Sequence, residues 1–283
     1  MIVVRFNSGF GNQIFQYCLA KSISLQTSDE FILHDLSWYK IEYKSLVKRD
    51  FLLENYAISG QEVSEKQYFF LKFIYHNRFL KYLPIFKLRL VQDRKSGFMA
   101  NIRNLKKGNY YLNGFFQSYK YFKDIRENLM NDFTPNIKFS DEYNFLKLKI
   151  VNSNSICVHI RRGDYLSNPK ANLAHGIIGQ EYYTKAFNHF GKGFKYFIFC
   201  DSSNDIVIPY EHEVVSFRGL SDLEEFELMR NCKNYIICNS TFSWCAAYFT
   251  YGDIINSQVI YPDNWANFNF VKDDLFPSNW ISK

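Results

Sequence analysis

The residues best equipped for chemistry stand at the end of a short apolar run, Ser155 to Tyr165, which reads S-I-C-V-H-I-R-R-G-D-Y. Ile156, Val158 and Ile160 alternate with Cys157 and His159, which predicts a strand with a mostly apolar environment on both faces. The strand runs directly into Arg161-Arg162-Gly163-Asp164. Guanidinium groups are always charged and present a fixed fork of donors that fits phosphate oxygens. A glycine behind them permits a sharp turn, so the group reads as an anion grip. An ion-pair network with Asp164 and other carboxylates is the competing reading, and the pair alone leaves both open.

Two further stretches carry polar groups where backbone turns are expected. Asn7-Ser8-Gly9-Phe10-Gly11-Asn12-Gln13 lies between an apolar strand, Ile2 to Phe6, and a helical run from Ile14 to about Leu25. Strand, glycine-bearing loop and helix together aim N–H groups at an anion. The stretch is no dinucleotide fingerprint, because Ile14 takes the third glycine position, and it lacks the G-K-[ST] of a Walker A loop. A tight βα turn explains Gly9 and Gly11 equally well. Asn239-Ser240-Thr241 precedes another helical run; these residues suit a helix cap, and a capped helix start is itself an anion site.

The elements that must position these groups alternate regularly after residue 153. Strand 155–160, helix 180–190, strand 196–200, strand 214–217, helix 223–230, strand 234–238, helix 241–251 and strand 258–261 predict a parallel sheet with helices on both faces. In such sheets ligands lie beyond the carboxyl ends of the strands, where Arg161-Arg162, Asp201-Ser202-Ser203 and Asn239-Ser240-Thr241 would gather. Thr134-Pro135-Asn136 and Ser153-Asn154 bracket a junction, giving domains at 1–152 and 153–283. Tyr68 to Leu90 mixes aromatics with Lys72, Arg78, Lys81, Lys87 and Arg89. It is read as a helical pair broken at Pro84, packed on its own domain or lying on an anionic bilayer.

Composition narrows the partners. The 283 residues suit two domains or one large α/β unit, and 47% hydrophobic with 22% charged residues describes an ordinary globular chain. A net charge of +6 favours anionic partners. No dense Lys/Arg stripe or nucleic-acid motif accompanies it, so nucleic acid is not expected. The six cysteines show no metal spacing, and several sit in strand-like runs, as reduced thiols do. The opening M-I-V-V-R-F is shorter than a signal peptide's apolar core, and no stretch reaches the roughly 18 uninterrupted apolar residues of a membrane span. The expectation is a cytoplasmic protein, with peripheral contact at the cytoplasmic face of a membrane as an option.

G-F-G-N-Q-I-F-Q-Y (Gly9–Tyr17), V-H-I-R-R-G-D-Y (Val158–Tyr165) and N-S-T-F-S-W (Asn239–Trp244) together resemble the α-1,2-fucosyltransferases of bacterial surface-polysaccharide clusters and their animal relatives. F-F-Q-S-Y-K-Y-F (Phe115–Phe122), A-H-G (Ala174–Gly176), F-I-F-C-D (Phe197–Asp201), E-F-E-L-M (Glu225–Met229) and C-K-N-Y-I-I (Cys232–Ile237) extend the resemblance in the family's order. The chain departs from it with Ser8 where a first glycine is usual and Cys245 where a second tryptophan is common.

The resemblance implies an α/β, GT-B-like architecture of two facing Rossmann-like domains with parallel sheets, the second holding the nucleotide sugar and the first facing the acceptor. It implies GDP-L-fucose as donor, inversion at the anomeric carbon, and an α-1,2 link to a terminal galactose of a β-galactoside acceptor, lipid-linked or free. Arg161 would meet the β-phosphate, with Arg162 assisting or locking the loop through Asp164. Gly9, Gly11, Asn12, His159, Asp201, Asn239, Ser240 and Thr241 would line the donor, and His175 and Tyr182 the acceptor side. Guanine needs an acceptor for its N1–H and N2 amino group, for which Glu225 is the first expectation and Asp201 the second. The chain contains no D-x-D, so fixed arginine charge, rather than a divalent cation, is expected to stabilise the leaving diphosphate, and no cofactor is expected. No general base is assigned among His159, Asp35, His175 and Asp164. A catalytically silent GDP-sugar or glycan-binding protein, or a fucosyltransferase of another linkage, is the alternative.

Overall fold

The computed structural model of the protein describes residues 1–29, 32–40, 49–76, 88–93, 97–163, 173, 176–202, 206–253, 255–267 and 270–283. Asp164 and His175 lie outside the described residues, as does 77–87 of the aromatic-basic stretch. The chain forms two compact units, Met1–Ile137 with Val271–Phe276, and Lys138–Phe270 with Pro277–Lys283. Each is built on a parallel sheet, so the α/β architecture expected of the sequence is the one observed. Among the described residues no helix is long and apolar enough to cross a membrane.

The first unit orders its strands β3-β2-β1-β5-β4: β1 (Ile2–Arg5), β2 (Ile32–Asp35), β3 (Gln61–Glu62), β4 (Leu88–Gln92) and β5 (Asn109–Asn113). Ile2, Val3 and Val4 are fully buried because helices cover the sheet. On one face Val3, Leu33 and Tyr111 meet Leu71 of the Glu65–His76 helix. Leu88–Gln92 pairs with β5, so the end of the stretch read as a helical pair is a strand. Phe69 and Phe73 of the Glu65–His76 helix are exposed.

The second unit orders its strands β11-β10-β9-β6-β7-β8: β6 (Ser155–Ile160), β7 (Lys195–Cys200), β8 (His212–Val214), β9 (Asn234–Ile236), β10 (Val259–Tyr261) and β11 (Ile281–Ser282). Counted from β6 this is the doubly wound order 3-2-1-4-5-6, whose direction reverses between β6 and β9. All six β6 residues are buried. Ile156, Val158 and Ile160 pack with Tyr182, Tyr183, Ala186 and Phe187 of the Gln180–Phe190 helix. All six cysteines are buried and unbridged, Cys245 among them in the core.

The units divide near residue 137 rather than at 152. The reason is a helix the sequence reading passed over, Asp141–Val151, started by the Ser140 hydroxyl accepting from the Tyr143 N–H. Ser140 N–H donates to Glu224 at 2.8 Å, which ties this helix to Asp222–Arg230 and so to the second sheet.

Candidate active site

Arg161 follows β6 and Ser240 follows β9, the two strands that flank the reversal. Arg161 Nη1 donates to Ser240 Oγ at 3.1 Å. Ser240 is also the N-cap of the Thr241–Tyr248 helix, its Oγ accepting from the Phe242 N–H at 3.3 Å. A guanidinium therefore stands at a helix amino terminus whose first N–H groups point the same way. Both favour an anion at that point.

The second arginine does different work. Arg162 is 8% exposed, and its Nη1 donates to the Ile178 carbonyl at 3.0 Å. Its own N–H and that of Gly163 donate to Asp201 Oδ1 at 2.7 and 3.0 Å. Asp201, at the end of β7, thus holds the arginine turn in place. Gly163 is favoured by closeness rather than by an unusual dihedral: a Cβ there would stand 3.2 Å from Asp201 Oδ2, close enough to press on the carboxylate that holds the turn. Asn239 donates through Nδ2 to the Gly176 carbonyl at 3.1 Å, so Arg162 and Asn239 together tie down the segment entering the Gln180–Phe190 helix.

His159 lies inside β6 with Nδ1 3.1 Å from Cys238 Sγ and its ring against Phe242. Burial, and then the charge of Arg161, push its pKa down to about 3. Burial pushes the Cys238 thiol up to about 12. The imidazole is neutral and far too weak a base for proton transfer near neutral pH. Tyr182 is not presented to any ligand: it is 8% exposed, and its hydroxyl donates to the Ile237 and Ile260 carbonyls at 2.5 and 3.0 Å. The acceptor-side expectation for Tyr182 is replaced by a core position between strands.

Glu225 sits on the Asp222–Arg230 helix, where the Ser216 hydroxyl hydrogen-bonds its carboxylate. Burial raises its pKa to about 7, with a smaller push from Asp222. Ser216 Oγ in turn accepts the Cys200 N–H at 3.0 Å, which links Glu225 to the end of β7 beside Asp201. Glu227 of the same helix is sealed instead in the core, paired with Arg230 at 2.8 Å and accepting from the Tyr251 hydroxyl at 2.6 Å.

Gly9, Gly11 and Asn12 belong to the first unit. The helix there starts at Phe10, four residues earlier than expected, with Gly9 as its N-cap. Ser8 has a φ of 68°. The amides behind it are committed to the protein. Gln13 donates to the Asp50 carbonyl at 2.8 Å and accepts from the Leu52 N–H at 3.0 Å. Asn12 Oδ1 accepts from Gln117 at 2.7 Å. Asp35, weighed as a base, is 2% exposed and accepts from the Ser37 N–H and the Tyr111 hydroxyl.

Sequence reasoning missed Ser216, and also Phe217, which is 67% exposed with a φ of 69°. A serine and a phenylalanine after a short strand carry no motif, and only the fold brings the Ser216 hydroxyl to the Glu225 carboxylate.

The model of a family described as glycosyl transferase family 11 matches residues 1–283. An α-1,2-colitosyltransferase of Escherichia coli is 29% identical over 295 residues, spanning 99% of this chain and 98% of that one. The O-antigen biosynthesis glycosyltransferase WbnK of Escherichia coli is 29% identical over 303 residues, spanning 98% of each. Galactoside α-(1,2)-fucosyltransferase 2 of Bos taurus is 28% identical over 186 residues, spanning 60% of this chain and 54% of that one.

Proposed function

The chain belongs to glycosyl transferase family 11, and on that premise we propose that it transfers L-fucose from GDP-fucose to the 2-hydroxyl of a terminal galactose, inverting the anomeric carbon without a metal ion. The observation that carries this reading is the Arg161–Ser240 contact at the point where the second sheet reverses. Cleaving the bond between sugar and diphosphate leaves positive character on the sugar and negative charge on the leaving oxygen. Donors fixed where that charge develops are usually the largest catalytic term. Arg161 supplies full charge, and Ser240, Thr241 and the helix start supply dipoles. Arg162 and Asp201 keep the turn rigid, so little reorganisation is needed at the moment of transfer. The acceptor would be a β-galactoside of a surface glycan, free or lipid-linked, met at the cytoplasmic face of a membrane.

The whole-length likeness to a colitosyltransferase favours a second donor sugar, GDP-activated colitose in place of fucose. One experiment separates the readings: GDP release from GDP-fucose and from GDP-colitose, each with a panel of β-galactosides, in EDTA. Acceptor-dependent turnover with fucose that survives EDTA is the expected result. Preference for colitose transfers the proposal to that sugar, and loss of turnover in EDTA removes the metal-free part. Tight GDP binding with no turnover on any acceptor would mark a silent binding protein.

A further inference from the structure

We propose that Cys238 is a positioning residue for the transfer: its thiol donates to His159 Nδ1, fixes the imidazole as the tautomer protonated on Nε2, and so leaves a neutral donor for the anion met at Arg161. The inference rests on the donor reading above, in which His159 only lines the site, and adds the group that decides what His159 can offer.

Position is the first argument. His159 stands two residues before Arg161 and feels its charge. Its ring lies against Phe242, in the first turn of the helix that Ser240 caps. The imidazole therefore borders the point where guanidinium and helix start both favour an anion. Cys238 comes from the other strand that flanks the reversal, just past β9, and its Sγ is 3.1 Å from Nδ1.

Rigidity is the second. Both partners are clamped by neighbouring hydroxyls of the Gln180–Phe190 helix. Tyr183 donates to the His159 carbonyl at 2.9 Å, and Tyr182 donates at 2.5 Å to the carbonyl of Ile237, next to Cys238. The Cys238 carbonyl accepts the Ser240 N–H at 2.8 Å. Cys238 is fully buried and His159 is 6% exposed, so packing leaves the thiol and the ring little room to part.

Chemistry is the third. Which nitrogen of a neutral imidazole carries the proton is set by the bond the other makes. Burial holds the thiol protonated, and burial with the charge of Arg161 holds the imidazole neutral, so each group has one proton to place. Two acceptors face the S–H, the Ser243 hydroxyl and Nδ1, and the imidazole nitrogen is the more basic. Ser243 is itself a donor to the sulfur, with the Ser240 carbonyl, 3.3 Å away, as the alternative for its proton. Nδ1 therefore accepts, and Nε2 carries the hydrogen. Nε2 bonds no described residue and is not sealed from solvent. Phosphate oxygens only accept, and the reverse tautomer would meet them with a lone pair. A donor fixed where negative charge develops acts chiefly in the transition state, so the loss expected on removing the thiol falls on kcat.

The test is nitrogen NMR of the isotopically labelled full chain, beside GDP release from the GDP-sugar, for wild type, Cys238→Ala and Cys238→Ser. The signals missing from His159→Gln identify that imidazole among the six histidines. Wild type should show His159 protonated on Nε2 and bare on Nδ1. Cys238→Ala should mix the two tautomers and lower kcat by about tenfold, with KM for the galactoside unchanged. Cys238→Ser, whose hydroxyl donates as the thiol does, should restore the tautomer and bring kcat to within about threefold of wild type. A small fall in thermal midpoint would follow from packing alone; the tautomer and the rescue by serine would not. A wild type that turns over with His159 protonated on Nδ1 overturns this inference alone. So does Cys238→Ala within about twofold of wild-type kcat, or Cys238→Ser no better than Cys238→Ala, which would make the thiol a packing group. A wild type that turns over neither GDP-fucose nor GDP-colitose overturns the donor reading, and the role of the thiol with it.

Discussion

The first and second units place polar side chains at the same topological point and use them oppositely. In the first, the strand order reverses between β1 and β5. There Gln16, fully buried, accepts the Asn7 N–H at 3.2 Å and donates to the Gly114 carbonyl at 3.0 Å, stitching together the loops that leave the two strands. In the second, the reversal between β6 and β9 holds Arg161 against Ser240. A carboxamide carries one donor group and one acceptor and satisfies two loops without net charge. A guanidinium brings a full positive charge besides its donors, and so it suits an anionic ligand. A polar motif after a strand is a site only where its chemistry exceeds what the loops consume.

The largest expected effect tests the second half of that contrast. Arg161→Ala should lower turnover with the GDP-sugar by about 10²- to 10³-fold while leaving the thermal midpoint nearly unchanged, checked by GDP release and calorimetry side by side. Equal losses in stability and turnover would make Arg161 a structural residue and collapse the contrast. Next in size is Gln16→Ala, which strands the half-buried Asn7 N–H and Gly114 carbonyl. It should cost roughly 1–3 kcal/mol of stability, read from urea unfolding, with affinity for GDP unchanged. A nucleotide defect in a variant of normal stability would show the first reversal to be a ligand site as well.

The two units also differed in how far they could be read from sequence. β6 was placed to the residue, because Ile156, Val158 and Ile160 alternate with Cys157 and His159 and both faces are covered. The helix after β1 was started late, because Asn12 and Gln13 looked like loop. Their side chains bond outward to Gln117, Asp50 and Leu52, contacts that sequence spacing cannot display. Asp141–Val151 was missed although Ser140, Asp141 and Glu142 make a good helix start; its exposed Phe145 and Leu148 blur the apolar stripe. At the site, Arg161 and Ser240 were legible from their strand-end positions. The strained backbone of Phe217 was not, since it comes from contacts on both sides rather than from residue type.

Among the described residues each unit carries one carboxyl group raised by burial, and a smaller, pH-dependent effect compares them. Asp93, just past β4, accepts the Phe116 N–H at 2.8 Å, while its Oδ1 is buried with no hydrogen-bond partner among the described residues. Burial raises its pKa, as it does that of Glu225 to about 7. A raised acid binds its proton more tightly when folded, so its contribution to stability is full below the unfolded pKa and is lost as pH rises through the folded one. Asp93→Asn and Glu225→Gln should therefore both gain on wild type as pH rises from about 5 to 8 in thermal unfolding. GDP should abolish the gain at Glu225, by rewarding the ionised wild-type carboxylate, and leave the gain at Asp93 in place. If GDP erased both, the two carboxyl groups would share one ligand.

The smallest expected effect falls on Tyr182, whose neighbourhood in sequence suggested the acceptor and whose hydroxyl bridges the Ile237 and Ile260 carbonyls. Ile260 keeps a second partner, the Ile237 N–H at 2.9 Å, so removing the hydroxyl strands little. Tyr182→Phe should lower stability by about 1 kcal/mol and leave KM for the galactoside unchanged. A rise in KM at unaltered stability would return this tyrosine to the site. The acceptor would then need a route through the second unit's own helices, where Tyr182, Tyr183 and Phe187 now pack against β6. That packing is why a purely structural loss is expected.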